Sequence, residues 1–227
     1  MSLTRIAAWC AIGLVVAFVA GIALMAASGV QVLIPETGKN GLDWIRDVDD
    51  ASGAFFIGAW LTIAGGVLGL LGLVGFYHTL RGAGEWLLLA PILGVVGLTL
   101  VTISHLIPIA MAYELVPNFT ARQADTFDTF AALAQVLNYT GDVILWGVVV
   151  PMYALAIFKT GLIRRWIGWL AVVVGVFAGV GEALSPASSV IDGITFVGFV
   201  AFFVWMAAMG ATLLRGGPPP AAPAESG

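Results

Sequence analysis

Six long apolar runs, separated by short polar connections, restrict this chain more than any other feature of its 227 residues. They are Ile6 to Ile34, Gly53 to Tyr77, Trp86 to Tyr113, Phe127 to Phe158, Ile163 to Leu184 and Ile194 to Leu214. Each reaches the ~20 residues that a helix needs to cross the hydrocarbon core, and the longer ones must tilt or protrude. Only 10% of the residues are charged and 60% are hydrophobic, too little charge to cover a water-facing surface. In lipid every backbone polar group must be paired within its own segment, which makes each run a helix. The expected fold is therefore all-α, a polytopic bundle of six spans within residues 1–215. The remaining 216–227, rich in Pro and Ala, cannot build a core and are expected to be a disordered cytoplasmic tail. A cleaved signal peptide is the rival reading of the first run. A signal h-region is only ~7–15 residues, so a retained helix is expected.

Basic residues set the expected orientation. With six spans, Arg5, Arg81, Lys159, Arg164, Arg165 and Arg215 fall at one end, and Lys39, Arg46 and Arg122 at the other. The richer end belongs in the cytoplasm, which places both termini there and the chain in a plasma (inner) membrane. Trp86, Trp166 and Trp169 fall at cytoplasmic span starts, as an aromatic belt requires. The acidic connections lie outside, with Glu36, Asp43, Asp47, Asp49 and Asp50 in the first and Asp125 and Asp128 in the second. Within the first, Gly41 to Asp50 has the pattern of a short interfacial helix with Leu42, Ile45 and Val48 turned inward and Trp44 beside them.

Several function classes drop out early. A net charge of -4 without a basic patch gives nucleic acid nothing to bind. One cysteine, Cys10, rules out an internal disulfide and a multi-cysteine metal site. The run Asp47, Asp49, Asp50 does not make a calcium loop, because Ala51 and Ser52 stand where a ligand and a Gly are needed. His78 and His105 fall at different depths, so they cannot clamp one haem, and the sequence implies no particular cofactor. Asn118-Phe119-Thr120 is a glycosylation sequon that matters only in a secretory-pathway host.

What remains is a set of polar side chains inside the spans. Ionisable groups there cost ~2.5–3.5 kcal/mol on insertion scales, so their presence calls for a reason. His105 lies 19 residues beyond Trp86 and Glu182 lies 19 beyond Ile163, which puts both ~28 Å above the cytoplasmic end. Asp142 lies 15 residues below Phe127, ~22 Å down from the outer end and near the same level if the fourth run protrudes. Gln135, Asn138 and Asp142 share one helical stripe, spaced i, i+3, i+7. Glu182 continues the small-residue stripe Gly168, Ala171, Gly175, Ala178, which faces a neighbouring helix. A second stripe, Gly58, Thr62, Gly65, Gly69 and Gly72, marks close packing within the bundle or between copies. The interior Pro108 and Pro151 interrupt helical hydrogen bonding.

Four readings of the cluster His105, Gln135, Asn138, Asp142 and Glu182 stay open. It is a polar core that fixes helix register, a pocket for a lipid or small molecule open to the outer leaflet, a metal site, or a site completed by another subunit. The metal alternative, His105 with Asp142 and Glu182, would make an intramembrane hydrolase. Zinc more often takes two or three His or Cys ligands. The sparse histidines and the lack of a nucleophile motif favour a non-enzymatic membrane protein. Such a protein binds a ligand or serves with a membrane-protein partner or a second copy of itself.

The segment Phe158 to Leu170, FKTGLIRRWIGWL, resembles a recurrent stretch in a family of small bacterial multi-span membrane proteins of unknown function. There a similar loop opens the penultimate span and the last span ends in basic residues, as Leu213-Leu214-Arg215 does here. Phe76-Tyr77-His78-Thr79-Leu80-Arg81 is similar to that group's second-span ending. The resemblance implies a bacterial inner-membrane protein and carries over no activity or site residue.

Overall fold

A computed structural model of the chain describes residues 2–30, 33–35, 41–114, 116–118, 123–184 and 189–216. Among these every regular element is a helix and there is no strand. Six helices are long and apolar enough to cross a membrane. They are span 1, Leu3–Ala27; span 2, Ser52–Ala83; span 3, Glu85–Glu114; span 4, Ala124–Thr160; span 5, Arg165–Leu184; and span 6, Gly193–Leu214. The chain is thus a multi-pass helical membrane protein. Of the expected tail only Gly216 is described, in a turn; the rest lies outside the described residues, as do Glu36, Lys39, Arg122 and the sequon's Thr120.

Span 1 is shorter than its apolar run. The sequence carries it to Ile34, but the helix stops at Ala27. Ser28 Oγ donates 2.7 Å to the Met25 carbonyl, offering the backbone an alternative to the next helical turn. Gly29 then takes φ +99°, a conformation that side chains resist, and the chain turns away.

Small residues let neighbouring spans touch through their backbones. A Cβ added at Gly21 would lie 2.6 Å from the Gly58 carbonyl, and one at Gly65 would lie 3.3 Å from the Leu14 carbonyl. The stripe on span 2 is therefore spent on span 1, inside one chain. The stripe on span 5 meets span 4, where a Cβ at Gly175 would strike the Pro151 ring at 2.5 Å. The Cβ sites of Gly97 and Gly210 bring span 3 to the Gly141 carbonyl on span 4, at 2.9 Å, and span 6 to the Ala8 carbonyl on span 1, at 2.8 Å. Gly21 with Gly58, Ala7 with Gly75 and Ala8 with Gly210 each join an early residue of one span to a late residue of its partner, so span 1 runs antiparallel to spans 2 and 6, and the termini share one end. The spans form a closed ring, 1-2-3-4-5-6 and back to 1.

The ring is filled at the end that holds the termini. Trp205, Tyr153, Phe76, Met206 and Met209 are all fully buried there. Tyr153 donates its hydroxyl 2.7 Å across the ring to the Leu73 carbonyl. Its ring meets Phe76 at 6.0 Å, and Phe76 meets Trp205 at 5.6 Å, both edge-on. Trp166 and Trp169, at the same end, are exposed.

The opposite end carries the expected short helix, Gly41–Asp50. Trp44, Ile45 and Val48 are buried against Phe55 and Phe127, with Met25, Val30 and Met111 in the same cluster. The Leu42 side chain is outside the described residues.

Spans 4 and 5 each contain one wide turn, Leu145–Val149 and Gly175–Val180, with π-helical hydrogen bonding. Pro151 accounts for the first. It has no N–H for the Gly147 carbonyl and its ring crowds that oxygen, so the register slips and the Val150 N–H reaches back five residues to Leu145. The second lies directly against it, where Gly147 and Gly179 touch backbone to backbone.

Candidate ligand-binding cavity

At the loop end the ring is hollow. A cavity of about 480 Å³ lies at its centre, and all six spans contribute to its wall. Its floor is a plate of aromatic rings. Phe18 meets Phe203 at 5.2 Å and Phe199 at 6.0 Å, and Phe199 meets Trp146 at 5.8 Å. Val30, Leu33 and Ile34, just past span 1, line its other end.

Two polar patches face this space. One joins spans 2 and 3. Thr62 Oγ1 donates 2.8 Å to the Ala59 carbonyl and lies 3.4 Å from His105 Nδ1. The His105 ring also rests against Phe18, 6.2 Å between centroids. Thr102, one turn before His105, lines the cavity beside it.

The other patch crosses spans 3, 4 and 5. Ser104 Oγ lies 2.7 Å from the Val101 carbonyl and 3.2 Å from Asn138 Oδ1, sharing one proton between them. Asn138 Nδ2 donates 2.7 Å to Asp142 Oδ2. This fixes the Asn138 amide, carbonyl toward span 3 and NH₂ toward the carboxyl. Asp142 and Glu182 are both buried, 6% and 8% exposed, and close enough for their charges to act on each other. Thr195 on span 6 lines the cavity too, and its hydroxyl donates 3.0 Å to the Ile191 carbonyl.

The residues singled out from sequence fare differently. His105, Asn138, Asp142 and Glu182 all line the one cavity. Gln135 does not; its Nε2 donates 2.9 Å to the Pro35 carbonyl and ties down the segment that follows span 1. Two further turns of the same helix separate Gln135 from the Asp142 level, and there the neighbour is loop rather than cavity. The metal triad is not assembled. Among the described residues no three His, Cys, Asp or Glu side chains gather as metal ligands. His105 follows Ser104 directly, ~100° around the helix, so it serves the span 2 side while Ser104 serves the carboxyl side. Glu114, at the loop end of span 3, is exposed.

Trp146 and the aromatic plate escaped the sequence reading. Trp146 is one turn beyond Asp142, and extending the stripe Gln135, Asn138, Asp142 by four residues would have reached it. Its indole N–H is buried without an acceptor, as is that of Trp205 in the filled half. Phe18, Phe199 and Phe203 sit in uniformly apolar helices, where nothing in the order of residues separates lipid-facing from inward-facing rings.

Comparison with family models, with curated proteins and with solved structures returned no match. Fold and geometry alone place the chain among multi-pass helical membrane proteins, here with a hollow at one end of the bundle.

Proposed function

We propose that this protein binds one small or lipophilic molecule in the central cavity. The observation that carries the reading is the cavity itself. About 480 Å³ lies within the range of ~300–1,000 Å³ typical of ligand sites, and its apolar wall carries a few converging polar groups. A polar core serving only helix register would fill this space, as the other half of the ring is filled. With the basic termini end in the cytoplasm, the cavity belongs to the outer leaflet.

Entry from the bilayer is supported at one seam. Spans 1 and 6 touch through their backbones near Ala8 and Gly210, and toward the loop end they meet through the rings of Phe18, Phe199 and Phe203. Ile22 and Phe196, on either side of this seam, line the cavity yet are 39% and 64% exposed. Backbone contacts close the seams of spans 1 with 2, 3 with 4 and 4 with 5, at Gly21 with Gly58, Gly97 with Gly141 and Gly147 with Gly179.

Native mass spectrometry of gently extracted protein tests the proposal against a variant with the cavity filled. Gly66 lines the cavity, and a Cβ there would lie 3.6 Å from Thr102 Oγ1, so Gly66→Leu puts its bulk into the hollow. The expected result is a bound molecule on the wild type that is absent from Gly66→Leu. Equal occupancy of both proteins places the molecule elsewhere and removes the cavity from the function.

A further inference from the structure

His105 brings an unanswered polar atom to the cavity wall. The residue is 6% exposed and lines the cavity from span 3. Nδ1 lies 3.4 Å from Thr62 Oγ1 and the ring packs on Phe18. Among the described residues Nε2 has no hydrogen-bond partner. The fully enclosed side-chain polar atoms without a partner are the indole nitrogens of Trp146 and Trp205. Nε2 is not one of them, so it borders open space, and the open space beside His105 is the cavity. An imidazole nitrogen left unpaired beside an apolar hollow is costly, and a ligand group that bonds it removes that cost. Thr102 lies three residues before His105, a neighbour on the same helix face, and lines the same wall. Its hydroxyl donates 2.7 Å to the Leu98 carbonyl, so its oxygen is left to accept.

Resting on the cavity reading above, we propose that the ligand is a neutral lipophilic alcohol, held by a hydrogen bond between its hydroxyl and His105 Nε2. A hydroxyl donates once and accepts through two lone pairs. Where Nε2 carries the ring proton, the hydroxyl accepts from it and gives its own proton to Thr102. Where Nε2 is bare, the hydroxyl donates to it. A carbonyl or an ether serves only the first case and leaves Thr102 unmet. The wall beside this pair is Thr62, Ile63, Gly66 and Leu98, hydroxyl and hydrocarbon, where a charged head would lie desolvated without an answer. The apolar body of the ligand lies on Phe18, Phe199 and Phe203 and reaches the bilayer past Ile22 and Phe196.

Farnesol and farnesyl methyl ether share one isoprenoid chain, and the ether lacks the hydroxyl proton. Equilibrium binding of tritiated farnesol to the full chain in phosphatidylcholine nanodiscs, corrected with empty nanodiscs, should show one saturable site. The ether should compete about tenfold or more weakly, as the loss of one buried hydrogen bond requires. Two substitutions divide the imidazole. The amide of His105→Asn falls where Nδ1 stands and keeps the reach to Thr62, whereas that of His105→Gln falls where Nε2 stands. His105→Asn should weaken farnesol binding about tenfold or more, and His105→Gln should recover most of that loss. Equal competition by alcohol and ether, or unchanged binding in His105→Asn, overturns the alcohol proposal. An equal loss in both variants also overturns it, because the effect then belongs to the ring's packing on Phe18. If either variant does not elute as a single species, the ratio of alcohol to ether on the wild type decides alone. Absence of farnesol binding to the wild type overturns the alcohol proposal too. The cavity reading stands through each of these outcomes and falls only when wild type and Gly66→Leu carry the same co-purified molecules.

Discussion

The two ends of the helical ring use similar residues to opposite effect. At the termini end, aromatic side chains point into the centre and meet one another: Phe76, Tyr153 and Trp205 fill the ring, with Met206 and Met209 completing the packing. At the loop end, aromatic side chains gather on one side of the centre. Phe18, Phe199 and Phe203 pack against one another at centroid distances of 5.2, 6.0 and 4.7 Å and floor the cavity instead of filling it. Polar groups divide the same way. Tyr153 in the filled half spends its hydroxyl on a backbone carbonyl, whereas His105, Asp142 and Glu182 border open space. A bundle held by close backbone contact needs its centre filled somewhere for stability. Once one half supplies that, the other is free to keep a cavity and the costly ionisable groups around it.

This contrast can be broken most sharply at Trp205. Trp205→Ala empties the filled half and should cost about 3–5 kcal/mol, the usual penalty for deleting a buried aromatic side chain. Reversible unfolding in mixed micelles measures it, and a loss below about 1 kcal/mol would mean that this half does not carry the fold. In the hollow half, Glu182→Gln should move the other way. Removing an ionisable group from the bilayer interior relieves part of the ~2.5–3.5 kcal/mol insertion cost, so stability should hold or rise. A large destabilisation by Glu182→Gln would make the carboxyl a structural member and weaken the division between halves.

Smaller effects refine the picture. Tyr153→Phe removes one buried hydrogen bond to Leu73 and should cost about 1–3 kcal/mol, since the carbonyl loses its added partner. Unchanged unfolding would show that this cross-ring bond is not used. Gln135→Ala should cost least, about 0.5–1.5 kcal/mol for one hydrogen bond. Its local signature is faster amide exchange at Leu33 and Ile34 beside the Pro35 anchor, with the filled half unaffected. Exchange that rises equally around Tyr153 would show that the two halves unfold as one.

Much of the site could be read from residue order because the bilayer makes polar residues rare. His105, Asp142 and Glu182 stood out for their cost, and counting 1.5 Å per residue from the span ends brought them near one level. Asn138 followed from its spacing to Asp142. Gln135 shared that spacing, yet it contacts Pro35, because a helical stripe gives direction and not the neighbour found at each height. The loop helix Gly41–Asp50 was visible in its alternation of charge and hydrophobicity, but its packing depended on Phe55 and Phe127 from two other spans.

By itself the sequence determined the six helices, their antiparallel sense and the level of the ionisable groups. The physical reason is that lipid demands local backbone pairing and penalises charge according to depth, and both are readable along one segment. Only the tertiary structure decided that the spans close into a ring, that the glycine stripes of spans 2 and 5 are consumed inside one chain, and that one half is hollow. Those outcomes turn on which of many equally apolar faces meet, and on whether inward rings such as Phe76 and Trp205 fill the centre or, like Phe18 and Phe199, leave space beside them. Hydrophobicity is the same in either case; shape decides, and shape is settled only when all six helices are in place.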